Sequence, residues 1–101
     1  MTTDGAWHEA VWTDSSLVVP IGVKALLLRV NVLDGTPNIQ LSFRAKGYAA
    51  AFNISQIGTQ VANVTNCADL IVDCDADGKI NYMAYNTTWT AILIVVAGWW
   101  V

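Results

Sequence analysis

Apolar and polar residues alternate along most of this chain, and a period of two is the signature of strands. Asn38 to Arg44 carries it most cleanly, with Ile39, Leu41 and Phe43 on one side and Asn38, Gln40, Ser42 and Arg44 on the other. From Val23 to Leu33, the residues Leu26, Leu28, Val30 and Val32 share a face, opposite a mixed face of Ala25, Leu27, Arg29 and Asn31. Asp69 to Asp75 turns Leu70, Val72 and Cys74 inward and its aspartates outward, and Lys79 to Tyr85 groups Ile80, Tyr82 and Ala84. No window of helical length holds a 3.6-residue period. The run from Trp89 to Val96 is apolar on both faces, with Trp89, Ala91, Leu93 and Val95 on one and Ile92, Ile94 and Val96 on the other. In an antiparallel protein, such a strand is either central and buried on both sides or an edge strand covered by another subunit.

Turn residues separate these runs. Val19-Pro20-Ile21-Gly22 precedes the second strand, Asp34-Gly35-Thr36-Pro37 ends it with a hairpin-type Asp-Gly pair, and Lys46-Gly47 follows the third. Asp75-Ala76-Asp77-Gly78 separates two later strands. A loop of Ala76, Asp77 and Gly78 gives Gly78 the left-handed position, sets Asp75 opposite Lys79, and pairs Cys74 with Ile80 and Val72 with Tyr82. A loop of Asp77 and Gly78 alone would put Cys74 opposite Asn81, a poorer match. Tyr48 to Asn66 is rich in Ala, Asn, Gln, Gly and Ser and reads as a long loop region with one or two short strands. About eight short strands in this length predict a single all-β domain, residues 1–101, built as an antiparallel β-sandwich or jelly roll.

Composition sharpens this picture. Charged residues make up only 13% of the chain and hydrophobic ones 54%, whereas globular domains usually carry about 25% charged residues. A domain this small has much surface per residue, so part of that surface is expected to be covered by copies of itself or by a partner. Uncharged Thr and Asn offer the competing way to keep it wet. The expected interface is Leu93, Val95, Trp99 and Trp100. Because neighbours on a strand point opposite ways, one of the two terminal tryptophans should enter the core and the other meet a partner or water. The net charge of −3 and five scattered basic residues argue against nucleic acid. The longest apolar stretch, Ala91 to Val101, is far short of the roughly 20 residues that span a bilayer. Met1-Thr2-Thr3-Asp4 lacks the basic start of a secretion signal, so synthesis in a cytoplasm is expected, with Cys67 and Cys74 kept as thiols and used as small core residues.

Candidate chemistry is sparse. His8 and Glu9 are neighbours that point apart, and no nucleophile–base order, phosphate loop or dinucleotide fingerprint is present. No enzyme activity and no cofactor are therefore expected. Asp73, Asp75 and Asp77 have the spacing that opens a calcium loop, but Ala84 stands where the bidentate Glu is needed, and a turn flanked by strands accounts for the same residues. Trp7, Trp12 and Tyr85 are candidate stacking platforms for a glycan.

Val19-Pro20-Ile21-Gly22-Val23-Lys24-Ala25-Leu26-Leu27-Leu28-Arg29-Val30 resembles the pattern V-P-x-G-A-K-A-V-L-L-R-V of small β-sandwich modules in tailed-phage structural proteins and related bacterial proteins. Asp77-Gly78-Lys79-Ile80 and the terminal Gly98-Trp99-Trp100 are similar to later features of that family, so the resemblance spans roughly residues 17 to 100. It implies a virion component, either a capsid decoration (cement) protein or a tail-fibre tip, commonly trimeric and docked on another virion protein. A free-standing module fits the decoration role better, since fibre tips are usually attached to a long shaft. The rival expectation is a lectin-like module that binds a host-surface glycan.

Overall fold

The computed structural model describes residues 2–10, 22–49 and 54–101. Val19 to Ile21 of the first turn, Trp12, and Ala50 and Ala51 lie outside the described residues. Within them the chain is all-β, without a helix, in seven strands: β1 (Trp7–Glu9), β2 (Ala25–Leu33), β3 (Gln40–Ala45), β4 (Ser55–Gly58), β5 (Asn66–Asp73), β6 (Ile80–Ala84) and β7 (Ala91–Trp100). They form two antiparallel sheets, ordered β1-β6-β3-β4 and β5-β2-β7.

One core lies between the sheets. β2 supplies Leu26, Leu28, Val30 and Val32, all fully buried, and Val72 and Val96 join them from its neighbours. The other sheet answers with Leu41, Phe43, Ile57, Ile80, Tyr82 and Ala84. Those from β2, β3, β5 and β6 are on the inward face that the alternation predicts; Ile57, and Val96 from a run apolar on both faces, had no predicted side. Burial of side chains this size is worth about 1.5–3 kcal/mol each, so the alternation also locates most of the folding energy.

The strand partners differ from the expectation. Asp75 N–H donates to the Lys79 carbonyl at 2.9 Å, Gly78 has φ 76°, and Asp75 Oδ1 accepts from the N–H groups of Asp77 and Lys79. This is the expected loop of Ala76, Asp77 and Gly78. Yet the strands it joins do not pair: β5 runs beside β2, and β6 runs between β1 and β3. Cys74 is therefore not across from Ile80, nor Val72 from Tyr82; those side chains meet in the core from opposite sheets. Asp34-Gly35 likewise links β2 to β3 across the two sheets rather than closing a hairpin. Both turns carry strands whose apolar faces must look at each other, and crossing between sheets satisfies that better than lying side by side.

Asp34 holds this end together. Its buried carboxylate accepts from Thr36 N–H at 3.0 Å and, from the start of β7, Thr90 N–H at 3.1 Å and Thr90 hydroxyl at 3.2 Å. At another border Ser55 Oγ donates to the Ile71 carbonyl at 2.6 Å and Asn66 Nδ2 to the Gly58 carbonyl at 2.7 Å, which ties β4 to β5 across the gap between the sheets.

Candidate functional site

In a sheet the residues directly opposite one another share a face, so the registers define what each sheet shows to solvent. On the β5-β2-β7 sheet the outward rows are Cys67–Asn31–Leu93, Asp69–Arg29–Val95, Ile71–Leu27–Gly98 and Asp73–Ala25–Trp100. Ile71 is 59% exposed, Leu93 55%, Trp100 48% and Val95 39%. One ion pair sits among them, Arg29 Nε to Asp69 Oδ1 at 3.1 Å, with both side chains more than half exposed. Pairs this exposed contribute little to stability. The surface is thus a largely apolar sheet face whose charged residues are the Arg29–Asp69 pair and, at its edge, Asp73.

β7 is also an edge. It pairs with β2 on one side and with no other strand among the described residues. Of the two alternatives for the Trp89 to Val96 run, the described residues place it at an edge. No charged residue interrupts β7, whereas edge strands in soluble proteins usually carry charge, proline or a cover. β5, the opposite edge, carries Asp69 and Asp73 and is tied to β4.

Of the expected interface residues, Leu93, Val95 and Trp100 lie on this face. Trp99 does not. The register of β7 against β2 slips between Leu27 and Leu28, leaving Ala97 without a partner, so Gly98 faces Leu27 and Trp99 faces buried Leu26. Such a bulge reverses which side chains point outward beyond it. Trp99 therefore belongs to the core side of the sheet, yet it stays 44% exposed, so neither tryptophan is fully buried as one was expected to be. Trp89 packs against the core, and its indole N–H donates to the Tyr85 carbonyl. Ile71 and Leu27 were missing from the expected interface. Their signal was present: each is a large apolar residue on the outward phase of an alternating strand.

The cysteines divide in the same way. Both are free thiols. Cys74 is half-buried against the core, and burial, with Asp75 and Asp73 nearby, pushes its thiol up to about 11. Cys67, expected in the core, is exposed and stands in a row with Asn31 and Leu93.

The outward face of the β1-β6-β3-β4 sheet has different contents. Its rows are Trp7–Met83–Ser42–Gln56 and Glu9–Asn81–Arg44, with Tyr85 and Gln40 continuing β6 and β3. The Arg44 guanidinium carbon lies 3.9 Å from the centroid of the Trp7 ring. Glu9 is held below its usual value chiefly by Lys79, with Lys46 adding to the effect. His8, on the opposite face of β1 from Glu9, bonds Asp4 at 2.8 Å, so the two neighbours point apart as expected. Trp7 and Tyr85 do share this face, while Trp12 lies outside the described residues. Asp75 uses Oδ1 to build its own turn, and among the described residues no group of three or more His, Cys, Asp or Glu side chains is placed to hold a metal ion.

Comparison with protein-family models, with curated proteins and with solved structures finds no significant match. Function is therefore argued from these two faces.

Proposed function

We propose that this chain is a non-enzymatic structural module that works as an assembly of its own copies, joined through the outer face of the β5-β2-β7 sheet. The observation that carries this reading is the exposure of Ile71, Leu93, Val95 and Trp100 on one sheet face. Four large apolar side chains held in water give every copy a standing drive to associate.

The strand order supports the finer fold description as well. Sheets ordered β1-β6-β3-β4 and β5-β2-β7 match seven of the eight strand positions of a jelly roll, and the eighth position, beside β7, holds no strand among the described residues. That edge is suited to a partner's strand or loop. The trimeric state, and a place on a virion as a capsid decoration or fibre-tip module against another virion protein, rest on the resemblance of residues 17 to 100.

The first test is absolute mass by light scattering on a sizing column, in reducing buffer with a chelator. A stable trimer is the expected result. A monomer up to the highest concentration the protein tolerates would overturn self-assembly.

A second reading, a lectin-like module, is favoured by a separate observation. Tyr85 is 56% exposed on the opposite sheet, with Trp7 on the same face. Aromatic rings presented in this way stack on the apolar faces of sugars.

A further inference from the structure

The outward face of the β1-β6-β3-β4 sheet is locally cationic in an acidic chain. Arg44, Lys46 and Lys79 stand against one carboxylate, Glu9, while the chain as a whole carries −3. Glu9 is already shared by the two lysines, at 3.5 Å from Lys46 and 3.3 Å from Lys79. Arg44 has no ion pair among the described residues. Its Nε is buried without a hydrogen-bond partner, so stacking on Trp7, rather than a hydrogen bond at Nε, holds the side chain in place. A guanidinium stays charged at any ordinary pH and offers a planar fork that matches a carboxylate. Here the stack on Trp7 orients the guanidinium, and no carboxylate among the described residues forms an ion pair with it.

The groups around it are polar without being charged. Gln56 Nε2 donates to Ser42 Oγ at 3.1 Å, which leaves the Gln56 amide oxygen to accept. Asn81 lies in the same row as Arg44, and Gln40 lies beside Tyr85. Amide edges for hydroxyl groups, an exposed aromatic ring for an apolar sugar face, and a fixed cation make a consistent set. A peptide is a poorer fit. Extended peptides dock on sheet edges, where the backbone is free, and this is a face.

Resting on the lectin-like reading, we infer that this face binds a carboxylate-bearing saccharide, with Arg44 receiving the carboxylate and Tyr85 stacking on the ring. The test is a titration followed by the Trp7 indole and Arg44 Nε–H resonances, using sialyllactose and galacturonate oligomers against neutral lactose. Acidic sugars should shift both resonances saturably, and lactose should bind about tenfold more weakly or worse. Arg44→Gln should erase the preference for the acid, and Arg44→Lys should restore it only in part, because a lysine lacks the fork. Tyr85→Ala, at an exposed site, should weaken binding severalfold in a folded protein. All three variants should assemble as wild type does by light scattering. If lactose binds as well as sialyllactose, the inference fails while the lectin-like reading stands. If no saccharide binds, both fail. If polyglutamate shifts the same resonances as strongly as the sugars do, the ligand is an acidic protein segment and the inference is wrong.

Discussion

On one sheet the positions that point away from the core hold Leu27, Ile71, Leu93, Val95 and Trp100 around the Arg29–Asp69 pair, with Asn31, Cys67 and Asp73 beside them; on the other they hold Gln40, buried Ser42, Arg44, Gln56, Asn81 and Glu9, with Trp7, Met83 and Tyr85 among them. Both sheets have the same pleat, and both turn Leu, Val, Ile or Phe inward to the same core. Pleating explains the inward half of each strand and says nothing about the outward half. Folding places no demand on the outward residues beyond solubility, so an apolar set there needs a separate cause. The more polar sheet needs one only for Arg44 and for the aromatic rings of Trp7 and Tyr85. The difference suggests that the two surfaces meet different kinds of partner.

The largest effect is expected from placing charge on the apolar face. Leu93→Asp with Val95→Asp should weaken assembly at least a hundredfold, about 3 kcal/mol at an interface centre, and sedimentation equilibrium would measure it. The mirrored control, Gln40→Asp on the other sheet, should leave the mass unchanged. If both behave alike, the two faces are not distinct in use.

Damage to the fold should instead strike both faces together. The Asp34 carboxyl sits below its usual value near 3.8, chiefly because Thr36 N–H bonds it, with Thr90 adding. A lowered folded value means that the stabilisation is present above the unfolded value and is lost as pH falls through the folded one. Asp34→Asn should therefore lower the thermal midpoint at neutral pH and flatten the acid dependence below about pH 4. Melting curves across that range would check both effects. A variant that melts like wild type would remove Asp34 from its place as the link between β2 and β7.

The terminal tryptophans give a finer contrast. Trp100→Ala should weaken assembly roughly tenfold and leave monomer stability nearly intact, whereas Trp99→Ala should cost the monomer about 1 kcal/mol and affect assembly less. Denaturant melts run beside mass measurements separate the two. Equal effects would mean that the bulge at Ala97 does not sort them.

The smallest effect needs no mutation. In dissociated protein Cys67 should react quickly with a thiol reagent and Cys74 slowly, since its thiol is pushed up to about 11. Assembly should slow Cys67 severalfold. An unchanged Cys67 rate in a verified oligomer would place the interface elsewhere.

Much of the fold could be read from the chain alone, because period-two alternation reports which way a side chain points. Leu26, Leu28, Val30 and Val32, or Ile80, Tyr82 and Ala84, need no partner strand to reveal their face. Pairing is another matter. The turn at Asp75 to Lys79 has the same local chemistry whether its strands then lie together or part into two sheets, and only the shared core decides. The bulge at Ala97 had one cue, Gly98 inside an otherwise apolar strand, and reading the strand without it misassigned Trp99. Cys67 was placed inside on composition, although the alternation puts it in phase with Asp69. Asp34 announced a turn, but nothing local announced that its other partner would be Thr90. The stack of Arg44 on Trp7 joins β3 to β1 across β6, a relation that exists only once those strands are ordered.

That ordering bears on how the protein is made. Of the five strand pairings among the described residues, only β3 with β4 joins neighbours in the chain, and β7 docks on β2 from more than half the chain length away. Long-range pairing of this kind slows folding. β2, which supplies more fully buried apolar side chains than any other strand, must leave the ribosome and wait with one side open until β7 has been synthesised. During that interval its free edge can be met by the same edge of a neighbouring nascent chain. A slow codon stretch, a chaperone or a low local density of ribosomes would each change the yield of native protein without changing a single contact in it.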